Sequence, residues 1–423
     1  MNGHARNRLG QATVIALPGV VAFAVYWTTL APTVTGEDAG EFILAAWSLG
    51  IPHPPGYPLW TLLAHPFTWL PFGEVAFRVN LVSAVFAALS VGLCAALILR
   101  LTGSRQAAIG ASLAFAFSRA FWEQALFAEV YTLNAFCFGL CLYFVLHWEE
   151  ERRQAWLWAL AVVFGLSLGA HNTMMVAGPV LAAYVFLKDP ERLRHLPRYA
   201  LLTLAALSAA VLVYLYLPWR AAANPVMNWG DPSTLERFLA VVRRDQYAHM
   251  FTEGPRGLVR FVQQLGYMGK LWFFEFTWPV GLASMAGLVL FLRIRTSFAL
   301  LTLGLSVAIV AAATFVQNFE FDREWLWVMN VFGIPAYFAT ALWIGVFIAR
   351  LGTRPVLQTL CAMAIAIAGL WHHWALNDKS DFYWASDYAH NVLTPLPEDA
   401  VLVAHQDHAN FPALYHQAVH GLR

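Results

Sequence analysis

The stretch LVSAVFAALSVGLCAALIL, residues 81–99, carries no charge and is apolar on every side. A barrel strand would alternate polar and apolar positions over about ten residues, so this run is not one. About 20 apolar residues in a helix match the hydrocarbon thickness of a bilayer. In that solvent only helices and closed barrels satisfy every backbone group. The segment therefore reads as a membrane-spanning helix. Comparable runs lie near 12–30, 75–99, 106–118, 132–148, 155–169, 172–187, 199–217, 278–292, 297–316, 329–349 and 355–374, which predicts an all-α polytopic protein with about eleven spans. The runs at 106–118 and 155–169 are shorter than a full crossing and are expected to tilt or to enter part way.

Composition supports this class. The chain is 59% hydrophobic and 12% charged, about half the ~25% charge of a soluble domain. A net charge of +1 provides no global field for nucleic acid. Cys94, Cys137, Cys141 and Cys361 lie inside apolar runs without zinc or disulfide spacing, and read as thiols that pack helices. Met1 to Gln11 leads into the first span without a small-residue cleavage site, so that span is expected to be retained.

Short loops that keep Lys and Arg face the cytoplasm. One side receives Arg6 and Arg8, Arg100 and Arg105, Arg152 and Arg153, Lys188 with Arg192, Arg194 and Arg198, Arg293 and Arg295, and Arg350 and Arg354. This places the amino terminus inside. The long segments 31–74, 218–277 and 375–423 then lie outside, and they hold the unusual residues. The division expected is a membrane region 1–374 and an extracytoplasmic segment 375–423, in a bacterial inner membrane.

The first outer segment brings Glu37, Asp38 and Glu41 directly after span one. Apolar surroundings raise a carboxyl pKa and suit it to accept a proton. If Asp38 to Leu49 is helical, Asp38 and Glu41 share a face, with Thr35 or Asp38 as cap. The same residues also fit a capped interfacial helix with its acids in water. His53-Pro54-Pro55-Gly56-Tyr57-Pro58 follows, and its prolines forbid helix and force a bend. That bend either holds His53 over a pocket or merely separates two surface helices. Glu129, where the fourth span begins, is a functional acid or a structural partner of Arg119 or Arg78. His171, Asn172 and Thr173 mark a tight outer turn, either facing a pocket or simply polar.

The second outer segment is basic and aromatic: Trp219 and Arg220, then Asn228-Trp229-Gly230-Asp231-Pro232, then Arg243-Arg244-Asp245-Gln246-Tyr247. Arginine forks grip phosphate in two-pronged fashion, while aromatic faces suit a sugar ring or an isoprenoid chain. The competing reading is an amphipathic interfacial helix, Ser233 to Met250, lying on lipid headgroups. Arg323, beside Glu320, Asp322 and Glu324, is a second phosphate ligand or neutralises its neighbours. His405, Asp407 and His408 match no specific metal spacing, and no metal ligand is assigned.

The motifs Glu37 to Phe42, Leu49 to Pro58, Trp122 to Asn134, His171-Asn172, Asn228 to Pro232 and Arg243 to Tyr247, in this order, resemble a family of membrane proteins formerly of unknown function. That family includes eukaryotic transmembrane protein O-mannosyltransferases. The resemblance implies a GT-C type helical bundle that uses a polyprenyl-phosphate sugar, mannose-like, and transfers it with inversion to a protein or glycan hydroxyl outside. It implies Asp38 as the general base, with Glu41 supporting it or binding the sugar. Arg220, Arg243, Arg244 and Arg323 become candidate ligands of the donor phosphate. His53, Tyr57, Glu129, Tyr131, His171, Asn172, Asn228 and Trp229 become candidate substrate contacts. Long family members continue into an outer globular region, whereas this sequence ends at Arg423.

Two rival functions predict different patterns. A transporter or flippase of a lipid-linked sugar places polar residues at the bilayer midplane and often carries internal repeats. Here the polar residues gather at outer helix ends. A noncatalytic scaffold predicts tolerance of charge-neutral changes at Asp38.

Overall fold

In this computed structural model the described residues are 3–251, 254–352, 355–397 and 399–422. Arg354, counted above among the inner basic residues, lies outside them. The chain starts as α1 (Gly3–Thr29), crosses the first outer segment as α2 (Ala39–Ser48) and α3 (Pro58–Ala64), and enters α4 (Val75–Thr102). Next come α5 (Arg105–Ala116), a short α6 (Arg119–Gln124), α7 (Tyr131–Glu151), α8 (Gln154–Ser167), α9 (Thr173–Lys188) and α10 (Leu196–Tyr214). The second outer segment forms α11 (Tyr216–Ala221), α12 (Leu235–Arg243) and α13 (Leu258–Glu275). After it run α14 (Trp278–Ile294), α15 (Thr296–Gln317), α16 (Arg323–Phe332), α17 (Ile334–Ala349) and α18 (Pro355–Asn377), then α19 (Trp384–Leu393) and α20 (Asp407–His420).

Every apolar run read from the sequence is helical, but not every run is a full crossing. Six described helical stretches are long and apolar enough to span a membrane, and eight if the bent pairs α13–α14 (105°) and α16–α17 (53°) each count as one. The expected eleven included α5, α8 and α9, which are 12, 14 and 16 residues long. At 1.5 Å per residue these fall short of a ~30 Å core. For α5 the reason is local. Ser104 caps its start by accepting from Ala107 N, and α5 packs against α4, α17 and α18, so little of it needs to match the lipid.

α17 forms the centre and is buried along almost its whole length against α4, α5, α14 and α15. Phe338 on α17 sets its ring edge-on to Phe115 of α5 at 5.2 Å and Phe138 of α7 at 5.9 Å, offset geometries that aromatic pairs favour. On this frame the outer segments are held by polar pins. Ile51 N donates to Met227 O at 2.7 Å and Trp229 N to Ile51 O at 3.0 Å, an isolated bridge that ties the first outer segment to the second. Gly50 permits it, since an added Cβ would lie 2.5 Å from Met227 O.

Residues 375–423 do not stand apart from the membrane region. α20 lies on α2, and at Gly40 an added Cβ would meet the Phe411 carbonyl carbon at 2.7 Å. The Tyr415 hydroxyl accepts from Ala76 N at 3.2 Å. The amphipathic helix expected over Ser233 to Met250 is also shorter. It ends at Arg243 because Arg244 turns left-handed (φ 61°), and a 3-10 turn over Asp245–Phe251 follows.

Candidate active site

Asp38 occupies the N-cap position of α2, one turn before Glu41. Its side chain makes no capping bond, and Thr35 donates to Gly36 O instead, so the expected cap is not formed by either. The Asp38 carboxylate therefore stays available, 37% exposed, with Oδ2 3.9 Å from His53 Nδ1. Glu41 is fully buried and accepts from His53 twice, from the backbone N–H and from Nδ1 at 2.8 Å. His53 Nε2 reaches the Tyr57 hydroxyl at 3.1 Å. The bend at Pro54–Pro58 does what its composition implied: it folds His53 and Tyr57 back over α2.

Charge and burial compete here. Burial pushes the Glu41 carboxyl above its ordinary value while His53 pulls against it. Burial alone would discharge His53, but Asp38 and Glu41 outweigh it and hold the imidazole up to about 9. His53 thus keeps its proton at neutral pH.

Beyond His53 lies an aromatic and polar lining. The Tyr57 ring stacks on His171 at 6.2 Å, and Tyr131 tilts against His171 at 5.1 Å. His171 Nδ1 accepts from Thr173 N at 3.2 Å, which puts the ring proton on Nε2. Burial, and then the charges of Arg244 and His53, pull His171 down to about 3, so it stays neutral. Asn172 stands beside it as the N-cap residue of α9. Glu129 is buried, its backbone tied to Ser83 and to Trp60 Nε1. Burial, and next the charge of Asp38, raise its carboxyl well above the usual range. Neither Arg119 nor Arg78 makes an ion pair with Glu129. Arg78 instead donates to the carbonyls of Thr68, Leu70 and Glu74.

The four arginines separate. Arg220 donates Nε to Leu49 O at 2.8 Å and Nη2 to Ser48 O at 3.0 Å, closing the C-terminus of α2. Arg243 is exposed and pairs with Asp245 at 2.9 Å. Arg323 is exposed at the first position of α16. Arg244 alone of the four acts electrostatically on His53, Tyr57, Tyr131 and His171 together. It lies over the Tyr247 ring at 4.6 Å, and its Nε is buried without a hydrogen-bond partner. Trp229 closes the same side, 6.3 Å from the His53 ring, with Nε1 donating to Gln246 at 2.8 Å. Asn228 has a buried Oδ1 without a partner.

Asp38, Glu41 and His53 each place a ligand atom within 4.8 Å of the others, a spacing that a divalent cation can use. The sequence named no such set, and His405, Asp407 and His408 do not gather into one among the described residues. Sequence reading also assigned no role to Tyr247 and Asn134. Asn134 donates to Thr173 Oγ1 at 2.9 Å and keeps a buried, unpartnered Oδ1. The signal lay in the motifs themselves, since Tyr247 and Asn134 are their last residues.

Residues 38–194 match the family model of the protein O-mannosyl-transferase TMEM260 N-terminal domain. The chain is 36% identical to protein O-mannosyl-transferase TMEM260 of Mus musculus over 244 residues, 55% of this chain and 35% of that protein. It is 24% identical to the protein of the same name in Dictyostelium discoideum, over 90% of this chain and 53% of that one. The chain therefore spans about half, or less, of the length of these relatives, both eukaryotic. Among solved structures, ArnT from Cupriavidus metallidurans bound to undecaprenyl phosphate superposes with a TM-score of 0.67 at 15% identity, covering 95% of this chain and 84% of that one. The chain has the GT-C fold. The arabinosyltransferase EmbB of Mycobacterium smegmatis shares that GT-C fold at a TM-score of 0.51 and 15% identity, over 97% of this chain and 37% of the neighbour. The family resemblance and the fold class expected from the motifs are both found.

Proposed function

We propose that this protein transfers a mannose-like sugar from a polyprenyl-phosphate donor to a hydroxyl group of a protein on the extracytoplasmic side, with inversion and with Asp38 as general base. One observation carries the reading: an accessible carboxylate at Asp38 and a guanidinium at Arg244 with an unpartnered, buried Nε act on the same buried cluster around His53 and Tyr57. The relatives named protein O-mannosyl-transferase support the sugar and the acceptor class. The neighbour holding undecaprenyl phosphate supports a lipid-linked donor.

In the proposed reaction the acceptor oxygen attacks the anomeric carbon, a C–O bond forms, and the bond to the phosphate oxygen breaks. The hydroxyl proton passes to the Asp38 carboxylate, and the electron pair leaves on the phosphate. Positive charge fixed at Arg244 stabilises that leaving group without reorganisation. Glu41 suits support rather than proton transfer, because it is buried and already bonded twice to His53. Neutral His171, buried Glu129, Tyr131, Asn172 and Asn228 suit contact with uncharged sugar hydroxyls. Trp229 and Tyr57 offer aromatic faces to the ring. Arg220 suits support of α2 better than contact with phosphate. A divalent cation held by Asp38, Glu41 and His53 would have to displace the proton on His53.

The test uses purified protein in lipid vesicles, radiolabelled polyprenyl-phosphate mannose and Ser/Thr peptides. Label moves to the peptide with inverted configuration, and Arg244→Ala lowers kcat/KM for the donor by about 10²-fold or more. Retained configuration, or undiminished transfer by Arg244→Ala, contradicts the proposal.

A further inference from the structure

Beside the acidic turn is a second cavity that the mechanism above does not use. It has a volume of about 360 Å3, within the ~300–1,000 Å3 range of ligand sites. Its floor is Thr35, Gly36 and Glu37, the three residues directly before Asp38. Its walls come from α6, α16 and the C-terminal segment, through Glu123, Trp327, Lys379 and Trp384. It shares no lining residue with the cluster of His53, Tyr57, His171, Trp229 and Arg244.

We infer that this cavity is the acceptor cleft, and that it takes an extended segment of polypeptide whose Ser or Thr hydroxyl it presents to Asp38. The inference rests on the proposed glycosyl transfer. An inverting displacement needs the acceptor oxygen and the leaving phosphate on opposite faces of the anomeric carbon, held in register. Arg244 belongs to the cluster around His53 and Tyr57, whereas this cleft is built on the three residues that lead into Asp38 and takes no residue from that cluster, so it offers the acceptor a separate approach. Its lining fits a peptide. Trp327, held by Nε1 donating to Glu123 at 3.1 Å, and Trp384, 55% exposed, offer flat surface for side chains. Glu123, backed by Lys379 at 4.0 Å, is a carboxylate within reach of backbone N–H donors. Because α20 and α19 supply part of the wall, the C-terminal segment belongs to acceptor recognition.

The experiment separates binding from turnover. The whole protein in vesicles is incubated with a pool of short Ser/Thr peptides carrying a benzophenone, irradiated, and mapped by mass spectrometry. Wild type labels around Trp327, Phe382 and Trp384, and Trp384→Ala loses about tenfold of that labelling. Trp371→Ala, at an 87% exposed aromatic outside the cleft, labels like wild type. Peptide KM rises in parallel in Trp384→Ala and stays at the wild-type value in Trp371→Ala. Labelling elsewhere, equal labelling in both variants, or displacement of the peptides by methyl α-mannoside overturns the peptide cleft, the last in favour of a glycan site. Cleft labelling without any sugar transfer leaves the cleft standing and contradicts the glycosyltransferase reading instead.

Discussion

His53 sits between two carboxyls, and its protonation is a measurable property of the site. Its raised value, about 9 against an ordinary 6.5, means the folded state binds the proton more tightly than the unfolded chain. The stability it contributes is therefore complete below about 6.5 and is lost as pH rises through about 9. Histidine NMR of the labelled protein shows a midpoint near 9 that Glu41→Gln moves down by roughly a unit or more. A midpoint near the ordinary value contradicts the geometry. Arg220 and Arg244 make a second residue-scale test. Arg220→Ala removes two hydrogen bonds to the carbonyls of Ser48 and Leu49 and costs about 1–3 kcal/mol of stability. Arg244→Ala leaves thermal stability near wild type and raises the donor KM. The sequence pointed to a group of arginines without ranking them, because the carbonyls that occupy Arg220 are 171 and 172 residues away. Asp38 and Glu41 were legible as a pair, from their spacing and motif. Their division into an exposed and a buried carboxyl depended on α20 and His53, which no local pattern contains.

At the scale of elements, the contact of α2 with α20 makes a specific claim about Gly40. Any Cβ there meets Phe411 at 2.7 to 2.9 Å, so Gly40→Ala must push the two helices apart. The expected cost is about 1–3 kcal/mol, read as a lower midpoint in thermal unfolding, with loss of peptide transfer exceeding loss of donor hydrolysis. An unchanged midpoint contradicts the packing. Element existence was well legible, since each apolar run is a helix. Element length was not, because hydropathy does not register that α5 is enclosed by protein while α4 runs the full 28 residues. The amphipathic run after Ser233 likewise gave no sign that Arg244 would turn left-handed and end it.

Across the whole molecule, four of the basic residues read as facing inward, Arg100, Arg152, Lys188 and Arg295, gather at one end. Arg100 and Arg295 both bond Glu150, Lys188 pairs with Glu149 at 3.0 Å, and Arg152 donates to Lys188 O. The acidic turn and Arg244 lie on segments that join the other helix ends. In the proposed orientation a membrane-impermeant maleimide labels Asn224→Cys in intact cells, and Arg153→Cys only after permeabilisation. The reverse pattern would place the site in the cytoplasm. Helical class was legible because composition reports the solvent directly, and loop charge supplies the sidedness that the labelling experiment tests. The docking of the C-terminal segment was not, since it depends on a close approach at Gly40 that one glycine in a motif does not announce. The most direct measurement of the central claim is single-turnover transfer from saturating polyprenyl-phosphate mannose to a Ser/Thr peptide, wild type against Asp38→Asn. The account predicts a rate about 10²–10⁴-fold lower with donor affinity unchanged, whereas equal rates in the two proteins would contradict it.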